Sequence, residues 1–552
     1  MIFQALLKCA LLAGTAFAEL KSLQSVASGF KTTEGYYVDQ VDKYAPPPSN
    51  DLKARFPTHY FETSIDHFKN ESRYEPHTTE KFKLRYWFNK DYYKPGGPVF
   101  AIIGGEAPAN GRLLYLDSGV GGRLAKAFSG LTVLIEHRYY GESFPVKNLT
   151  VESLRFLSTQ QALADLTDFA SQIKFPGIGE TVTAPNTPWI AYGGSYSGAL
   201  VAFLRKLYPD TWYGAISSSG VPEAIVDFWQ YQEAARLYAP KDCVKAAQDT
   251  VQLVDGILMG KDKALKIKLK ALAGLPEQAD DRIFAELLGG SGLEGWQSRH
   301  WHPKQSEGYS DNSCRRTLAK STISQPGTEA KRDSIEELMK AVNLDIEDVT
   351  VNRLLNKLAT VQRTAGALCA LSGKANCLSP PKASGSGMRT STAISAWRSW
   401  PWQLCTEWGY FMTGNTPKDI RPIISRFNDV ESQSASCRAA FNTTWTQVNT
   451  TRINQWGGMN ISYPRLAQLS GESDPWKWAG PSSPYAMKRQ DTIDEPFVEI
   501  KGAGHHWDTI GLEEDEIEEG KIKIPEAVVQ VQAYTERFVK KWLNDFKEQR
   551  AK

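Results

Sequence analysis

The sequence predicts an α/β fold: a mostly parallel sheet with helices on both faces, split by a mainly helical insertion. Three observations carry that prediction. Short, continuously apolar runs recur between residues 52 and 221, separated by text with helical spacing. From 222 to 385 the periodicity is mostly helical. Strand-like text then resumes near Arg465–Leu469 and Pro496–Ile500.

Taken in order, residues 1–18 read as a signal peptide. Lys8 and the α-amine supply positive charge, Cys9–Phe17 is a short apolar run, and Ala16-Phe17-Ala18 is an A-x-A cleavage pattern. Residues 19–51 are polar, end near Tyr44-Ala45-Pro46-Pro47-Pro48, and read as a pro-segment or linker. In 52–221, the first part of the sheet domain, the expected strands are Pro98–Ile103, Leu131–Ile135, Trp189–Tyr192 and Tyr213–Ile216. Ser158–Phe175 has helical spacing. The cap is placed at 222–385, where the charged run Lys261–Lys270 reads as a solvated amphipathic helix, and Ser379–Ser395 as a linker. The second part, 386–552, holds an acidic run, Glu513–Glu519, expected as a surface loop, and a terminal helix, Pro525–Lys547. No stretch reaches ~18 uninterrupted apolar residues, so no transmembrane helix is expected.

The 552 residues carry 64 Lys plus Arg against 62 Asp plus Glu, a net charge of +2. That balance argues against nucleic acid as a partner and against a polybasic membrane surface. Sixteen Trp, 22 Tyr and 23 Phe suffice for a large core and an aromatic-lined pocket. Without Cys9, six cysteines remain: Cys243, Cys314, Cys369, Cys377, Cys405 and Cys437. An even number suits up to three disulfides, with the pairing open. No C-x-x-C pair occurs, so no zinc site is expected. Sequons stand at Asn70, Asn148, Asn442, Asn449 and Asn460. Together these features favour a secreted (extracellular) or vacuole/lysosome-type glycoprotein.

The chemistry centres on Tyr192-Gly193-Gly194-Ser195-Tyr196-Ser197-Gly198, between an apolar strand and a helical run. A sharp strand-to-helix turn lifts a serine into the open and needs small neighbours. A glycine-rich turn with no chemistry is the bland alternative. A serine nucleophile needs a base and an orienting acid, which in this fold follow in the order Ser, Asp or Glu, His. Only His505 and His506 follow the later strands, and Asp474, just before Pro475, is preferred over Glu472 as the acid. A metal site at His505-His506 lacks a third ligand of suitable spacing, and no metal or other cofactor is expected. The oxyanion donors are expected to be the backbone N–H of Tyr196 and that of Gly105 or Glu106, after an early strand. Two glycines ending a strand would look the same.

Four motifs in this order carry a resemblance: Gly193-Gly194-Ser195-Tyr196-Ser197-Gly198, Glu136-His137-Arg138-Tyr139-Tyr140-Gly141-Glu142-Ser143, Ser473-Asp474-Pro475-Trp476 and Gly504-His505-His506-Trp507-Asp508. The chain resembles the prolyl carboxypeptidase/dipeptidyl peptidase II family of serine peptidases, in its fungal-type secreted form. The resemblance implies an α/β-hydrolase fold with a helical cap and hydrolysis of peptide bonds after proline near a chain end. It implies Ser195 as nucleophile, Asp474 as acid and His505 as base; His505 is chosen because family members keep the first position of this H-x-x-D pattern. It also implies a Cys405–Cys437 disulfide. Its expected partners are peptides with proline near one end, and a homodimer stays open.

Around these residues, Glu136, Arg138 and Glu142 read as a buried ion-pair scaffold. Trp476 and Trp402 are candidate walls of a proline pocket. Glu106 or Glu407 is a candidate anchor for a terminal amine, which favours dipeptide release; an arginine there favours carboxypeptidase action. A carboxylesterase or lipase of the same fold, a prolyl endopeptidase and a silent binding glycoprotein are the rival readings.

Overall fold

The computed structural model describes residues 50–288, 293, 295–306, 312–319, 328–372, 378 and 398–551. The expected signal peptide, nearly all of the expected pro-segment, the 379–395 linker and Cys377 lie outside them.

Eight strands form one sheet in the order β1-β2-β4-β3-β5-β6-β9-β10. They are β1 (His59–Ser64), β2 (Lys81–Asn89), β3 (Val99–Ile103), β4 (Leu131–Ile135), β5 (Trp189–Gly194), β6 (Gly214–Ser218), β9 (Leu466–Gly471) and β10 (Phe497–Ile500). A separate pair joins β7 (Ile225–Asp227) to β8 (Gly409–Phe411). From β4 to β10 the large sheet is parallel; β1 and β2 add antiparallel at one edge. This is the α/β-hydrolase arrangement.

The central strands are buried along most of their length and β3 is apolar throughout, because both faces are covered. Val99, Ala101 and Ile103 of β3 face one core layer, while Phe100 and Ile102 face the other. The helix Tyr196–Leu207 fills the first layer, and the terminal helix Glu526–Ala551 closes the second with Val531, Phe538 and Trp542. In a parallel sheet the loops at the carboxyl ends of the strands share one edge, where ligand sites form.

Everything between β6 and β9 is inserted. Helices Lys241–Leu258, Lys263–Leu272, Thr328–Ala341 and Asp348–Ser372 pack around a core of their own that includes Leu253, Leu269, Ile335 and Leu354. Asp262 caps the second of them, accepting from the N–H groups of Ala264 and Leu265; Lys261 and Lys263 of the basic run are exposed, while Lys270 is buried and donates to the carbonyls of Glu277 and Ala279. The chain from 398 to 461 then returns to the first core layer through Trp400, Leu404, Trp408, Phe441 and Ile461, ahead of β9. The expected boundary at 385 lies outside the described residues.

The acidic run differs from its expected loop. Glu514–Glu519 is a helix, because Glu513 and Glu516 form a capping box and the acids of the first turn complement the helix dipole. Disulfides join Cys243 to Cys314 and Cys405 to Cys437; Cys369 is also disulfide-bonded. The second bridge spans 32 residues. Converting both Cys405 and Cys437 to serine is expected to lower the unfolding free energy by about 3–4 kcal/mol, read from a urea titration.

Candidate active site

β5 ends at Gly194 and a helix begins at Tyr196, leaving Ser195 between them at φ 59° and ψ −127°. Side chains rarely adopt this backbone, and it persists only where the surroundings fix it. Here the Ser195 N–H donates to the Ser218 carbonyl at 2.9 Å. A Cβ on Gly193 would sit 2.1 Å from the Ser197 carbonyl oxygen, and one on Gly198 would sit 2.7 Å from Gly220 Cα, so both positions require glycine. Ser197 fits the turn by donating to the Gly194 carbonyl at 2.8 Å.

The loops after β9 and β10 bring acid and base together. Asp474 starts a short 3-10 helix and accepts from the Trp476 N–H at 2.9 Å. His505 Nδ1 lies 2.9 Å from both Asp474 oxygens. His505 Nε2 is buried and without a hydrogen-bond partner among the described residues, which leaves it free to take a proton. The Ser473 N–H and hydroxyl both donate to the Ala503 carbonyl, at 2.9 and 2.8 Å, clamping one loop to the other. Glu472 is engaged elsewhere, accepting from the Gly502 N–H at 2.8 Å.

The loop after β3 runs beside this turn. The Gly104 N–H donates to the Ile135 carbonyl at 2.7 Å and the Ala109 N–H to Glu136 at 3.0 Å. A Cβ on Gly105 would lie 3.7 Å from Ser197 Oγ, which places Gly105 and Glu106 next to the serine turn. Glu136 is fully buried and receives Arg85 through two nitrogens, the Glu142 N–H and the Ser143 hydroxyl. Arg138 pairs with Asp165, and Glu142 with Arg85. Glu136 and Arg138 are thus buried ion-pair residues as expected, whereas Glu142 is exposed and pairs with Arg85 from the surface. Glu136→Ala is expected to destabilise the protein by about 3–5 kcal/mol, read from chemical unfolding, because two Arg85 nitrogens, two backbone N–H groups and the Ser143 hydroxyl lose their buried acceptor and Arg85 keeps only Glu142.

Tyr196 is tied from behind. His137 Nδ1 lies 2.6 Å from the Arg138 carbonyl oxygen, to which it must donate, so its Nε2 accepts from the Tyr196 hydroxyl at 3.1 Å. Gln403 donates to that hydroxyl at 2.7 Å and accepts from Tyr140 at 2.6 Å. Burial is the largest influence on His137 and pushes its pKa down to about 4. Between about 4 and 6.5 the unfolded chain therefore binds the proton that the folded one refuses. The contribution is fully present above 6.5 and falls by on the order of 3 kcal/mol toward pH 4. Buried Asp508 and Glu407, raised by desolvation, act in the opposite sense. His137→Gln is thus expected to flatten the fall in the urea midpoint between pH 6.5 and 4, relative to the parent.

An aromatic wall joins the serine turn to the base. Tyr196 packs on Trp400 and Trp408, Trp408 on Tyr410, and Tyr410 on Trp476 at 5.0 Å. Phe228 and Tyr231 flank Trp476, whose ring centroid is 6.4 Å from that of His505. Trp476 Nε1 donates to Gln297 of the cap at 2.7 Å. Trp296 of the cap reaches the Ser473 carbonyl at 2.9 Å, and Trp507 reaches the Arg299 carbonyl at 2.8 Å, so cap residues 296–299 lie on the acid and base loops.

Other expected site residues sit elsewhere. Trp402 packs edge-on against Phe441, and the rings that contact Trp476 are Phe228, Tyr231 and Tyr410, of which Phe228 and Tyr410 are fully buried. Glu407 is 2% exposed and accepts from the Thr159 N–H and hydroxyl, so its carboxylate caps a helix instead of standing free for an amine. Asp508 holds Tyr192 and Ser218 and does not reach His505. Four of the sequon asparagines, Asn70, Asn442, Asn449 and Asn460, are exposed; Asn148 is half-buried and accepts from Ser153.

A profile of "Serine carboxypeptidase S28" matches residues 63–291 and 312–523. The chain is 43% identical over 501 residues to a "Probable extracellular serine carboxypeptidase" of Arthroderma benhamiae, covering 90% of this chain and 69% of the relative. It is 29% identical over 448 residues to "Serine protease vicPb" of Bipolaris victoriae, covering 77% and 80%. To a "Probable serine protease EDA2" of Arabidopsis thaliana it is 27% identical over 500 residues, covering 88% of each chain. With a family match over most of its length and a serine turn, a histidine and an aspartate at the carboxyl edge of one sheet, the chain belongs to the S28 family of serine peptidases.

Proposed function

We propose that the protein is a secreted serine carboxypeptidase that hydrolyses peptide bonds after proline. The observation that carries the reading is the pair His505–Asp474 at 2.9 Å, with a free Nε2, at the same sheet edge as Ser195 on its constrained turn. In this reading Ser195 Oγ attacks the carbonyl carbon and His505 Nε2 takes its proton. Asp474 fixes the Nδ1–H tautomer and balances the imidazolium. The N–H groups of Tyr196 and of Gly105 or Glu106 receive the developing oxyanion; one such donor contributes about 3–4 kcal/mol. His505 then gives the proton to the leaving amine, and water releases the acyl group by the reverse sequence.

Tyr231 and Trp476, backed by the fully buried Phe228 and Tyr410, offer flat apolar faces to a proline ring on the acyl side. Cap residues over the acid and base loops restrict approach and favour chain ends. Engagement of Glu407 with a helix removes one candidate amine anchor, and the Arthroderma relative's name points to the carboxyl end and to the extracellular space. Glycans at the exposed sequons belong to the same reading.

Mass spectrometry of products from peptides carrying proline at defined positions tests it. Release of the single residue after a penultimate proline is expected. Release of amino-terminal dipeptides, internal cleavage, or turnover confined to simple acyl esters would overturn it.

A further inference from the structure

One cation beside the site has no partner. Arg112 closes the 3-10 turn Ala109–Arg112 on the loop after β3. Its Nη1 is buried with no hydrogen-bond partner, and no hydrogen bond or ion pair joins Arg112 to any described residue. Other arginines with an unmet buried N–H use their remaining nitrogens: Arg123 on Glu536, Arg353 on Asp242, and Arg489 on the carbonyls of Ile461 and Met459. Arg138, fully buried, is saturated by Asp165 and by the carbonyls of Ile65 and Phe156. A buried guanidinium N–H left unmet is costly, and the cost is relieved where an anion binds.

Its position defines which anion. A Cβ on Gly105 would lie 3.8 Å from Arg112 Nη2, so the guanidinium borders the loop expected to hold the oxyanion. Arg112 also acts electrostatically on His506, whose ring packs 4.3 Å from that of His505 and borders Gly194. The base must protonate the leaving nitrogen, so the leaving residue lies beside His505. If that residue is the last of the chain, its carboxylate carbon is two bonds, about 2.5 Å, from the nitrogen. A free carboxylate is thus delivered to the flank that holds His506 and Arg112. Glu106, on the same loop, exerts its field on Tyr140, Tyr196 and Tyr410 instead, the acyl side. The two charges of the loop thus act on different neighbours, and a carboxylate placed near Glu106 meets repulsion.

We propose that Arg112 is a specificity residue that binds the free terminal carboxylate of the leaving residue. The inference rests on the carboxypeptidase reading above and names what recognises the chain end. A guanidinium suits this task because it is permanently charged and meets a carboxylate with two parallel N–H groups. Desolvation first, and then His505, His300 and Arg112, hold the His506 pKa well below its ordinary value, so His506 adds no second charge.

The test uses the full chain and one N-blocked peptide ending in Pro-Phe, as the free acid and as its carboxamide. The parent is expected to prefer the acid in kcat/KM by roughly 100-fold, the scale of a charge-assisted contact. Arg112→Gln is expected to collapse that ratio toward one, mainly through KM for the acid, and Arg112→Lys to restore part of it. Equal labelling of Ser195 by a fluorophosphonate in parent and variants confirms that the site is folded. A variant that labels normally and keeps the full acid preference overturns the role of Arg112. A parent that cleaves neither peptide, or cleaves both equally, overturns the carboxypeptidase reading itself, and with it this inference.

Discussion

Replacing Ser195 by alanine is expected to lower kcat on a proline-containing peptide by about a million-fold, with an unchanged urea midpoint. The size follows from the way triad members act as a unit: without the nucleophile, the base and acid have nothing to activate, and only binding and the oxyanion donors remain. Folding is expected to be unaffected because the Ser195 N–H, not its hydroxyl, is tied into the turn, at 2.9 Å from the Ser218 carbonyl. Loss of fluorophosphonate labelling should accompany the loss of turnover. Turnover within tenfold of the parent would remove Ser195 from the reaction. His505→Ala should cost a similar amount, and the double variant little more than either alone.

Asp474→Asn is expected to lower kcat by about ten-thousand-fold. An asparagine at 474 keeps an oxygen for the Trp476 N–H, so the 3-10 turn survives. Its amide has one acceptor where the carboxylate offered two oxygens to His505 Nδ1. When the amide NH2 faces Nδ1, that nitrogen must accept, the proton moves to Nε2, and the base can no longer take one from serine. The charge that offsets the imidazolium is lost as well. A decrease smaller than tenfold in a variant with the parent's unfolding midpoint would exclude Asp474 as the acid and reopen the choice to Glu472.

Much of this site was legible because it is written in short, ordered segments. Gly193 through Gly198 is local chemistry: two steric limits and a strand-to-helix change lie within six residues. The parallel strands were legible because burial on both faces makes their text continuously apolar, as in Val99–Ile103 and Leu131–Ile135. The antiparallel strands β1 and β2 were not, since their exposed positions are charged or polar and interrupt the run. The pair β7 and β8 is too short for any period, and its partners are separated by the whole cap. The helix at Glu514–Glu519 was hidden because a run of acids reads as solvated chain unless the reciprocal capping of Glu513 and Glu516 is noticed.

The side chains around Ser195, Asp474 and His505 divide along the same line. Glu407 and Trp402 were chosen for their residue type, yet one caps a helix from the far side of the cap and the other packs on Phe441. Phe228, Tyr231 and Tyr410 are ordinary core-forming residues in the sequence, and only their convergence on Trp476 makes a wall of them. Arg112 carried no motif at all; what marks it is a buried Nη1 with no hydrogen-bond partner among the described residues, and that is a property of three dimensions.

By itself, then, the sequence determined the α/β architecture, the constrained serine turn and the order of serine, aspartate and histidine, because each depends on residues close together along the chain or on a repeating pattern of burial. The tertiary structure decided which carboxylate meets which histidine, which aromatic rings face the site and which cation is left unpaired. Those depend on separate loops arriving at one edge of the sheet, 31 residues apart for Asp474 and His505 and more than 200 for Phe228 and Trp476, and contact at such ranges leaves no local trace in the text.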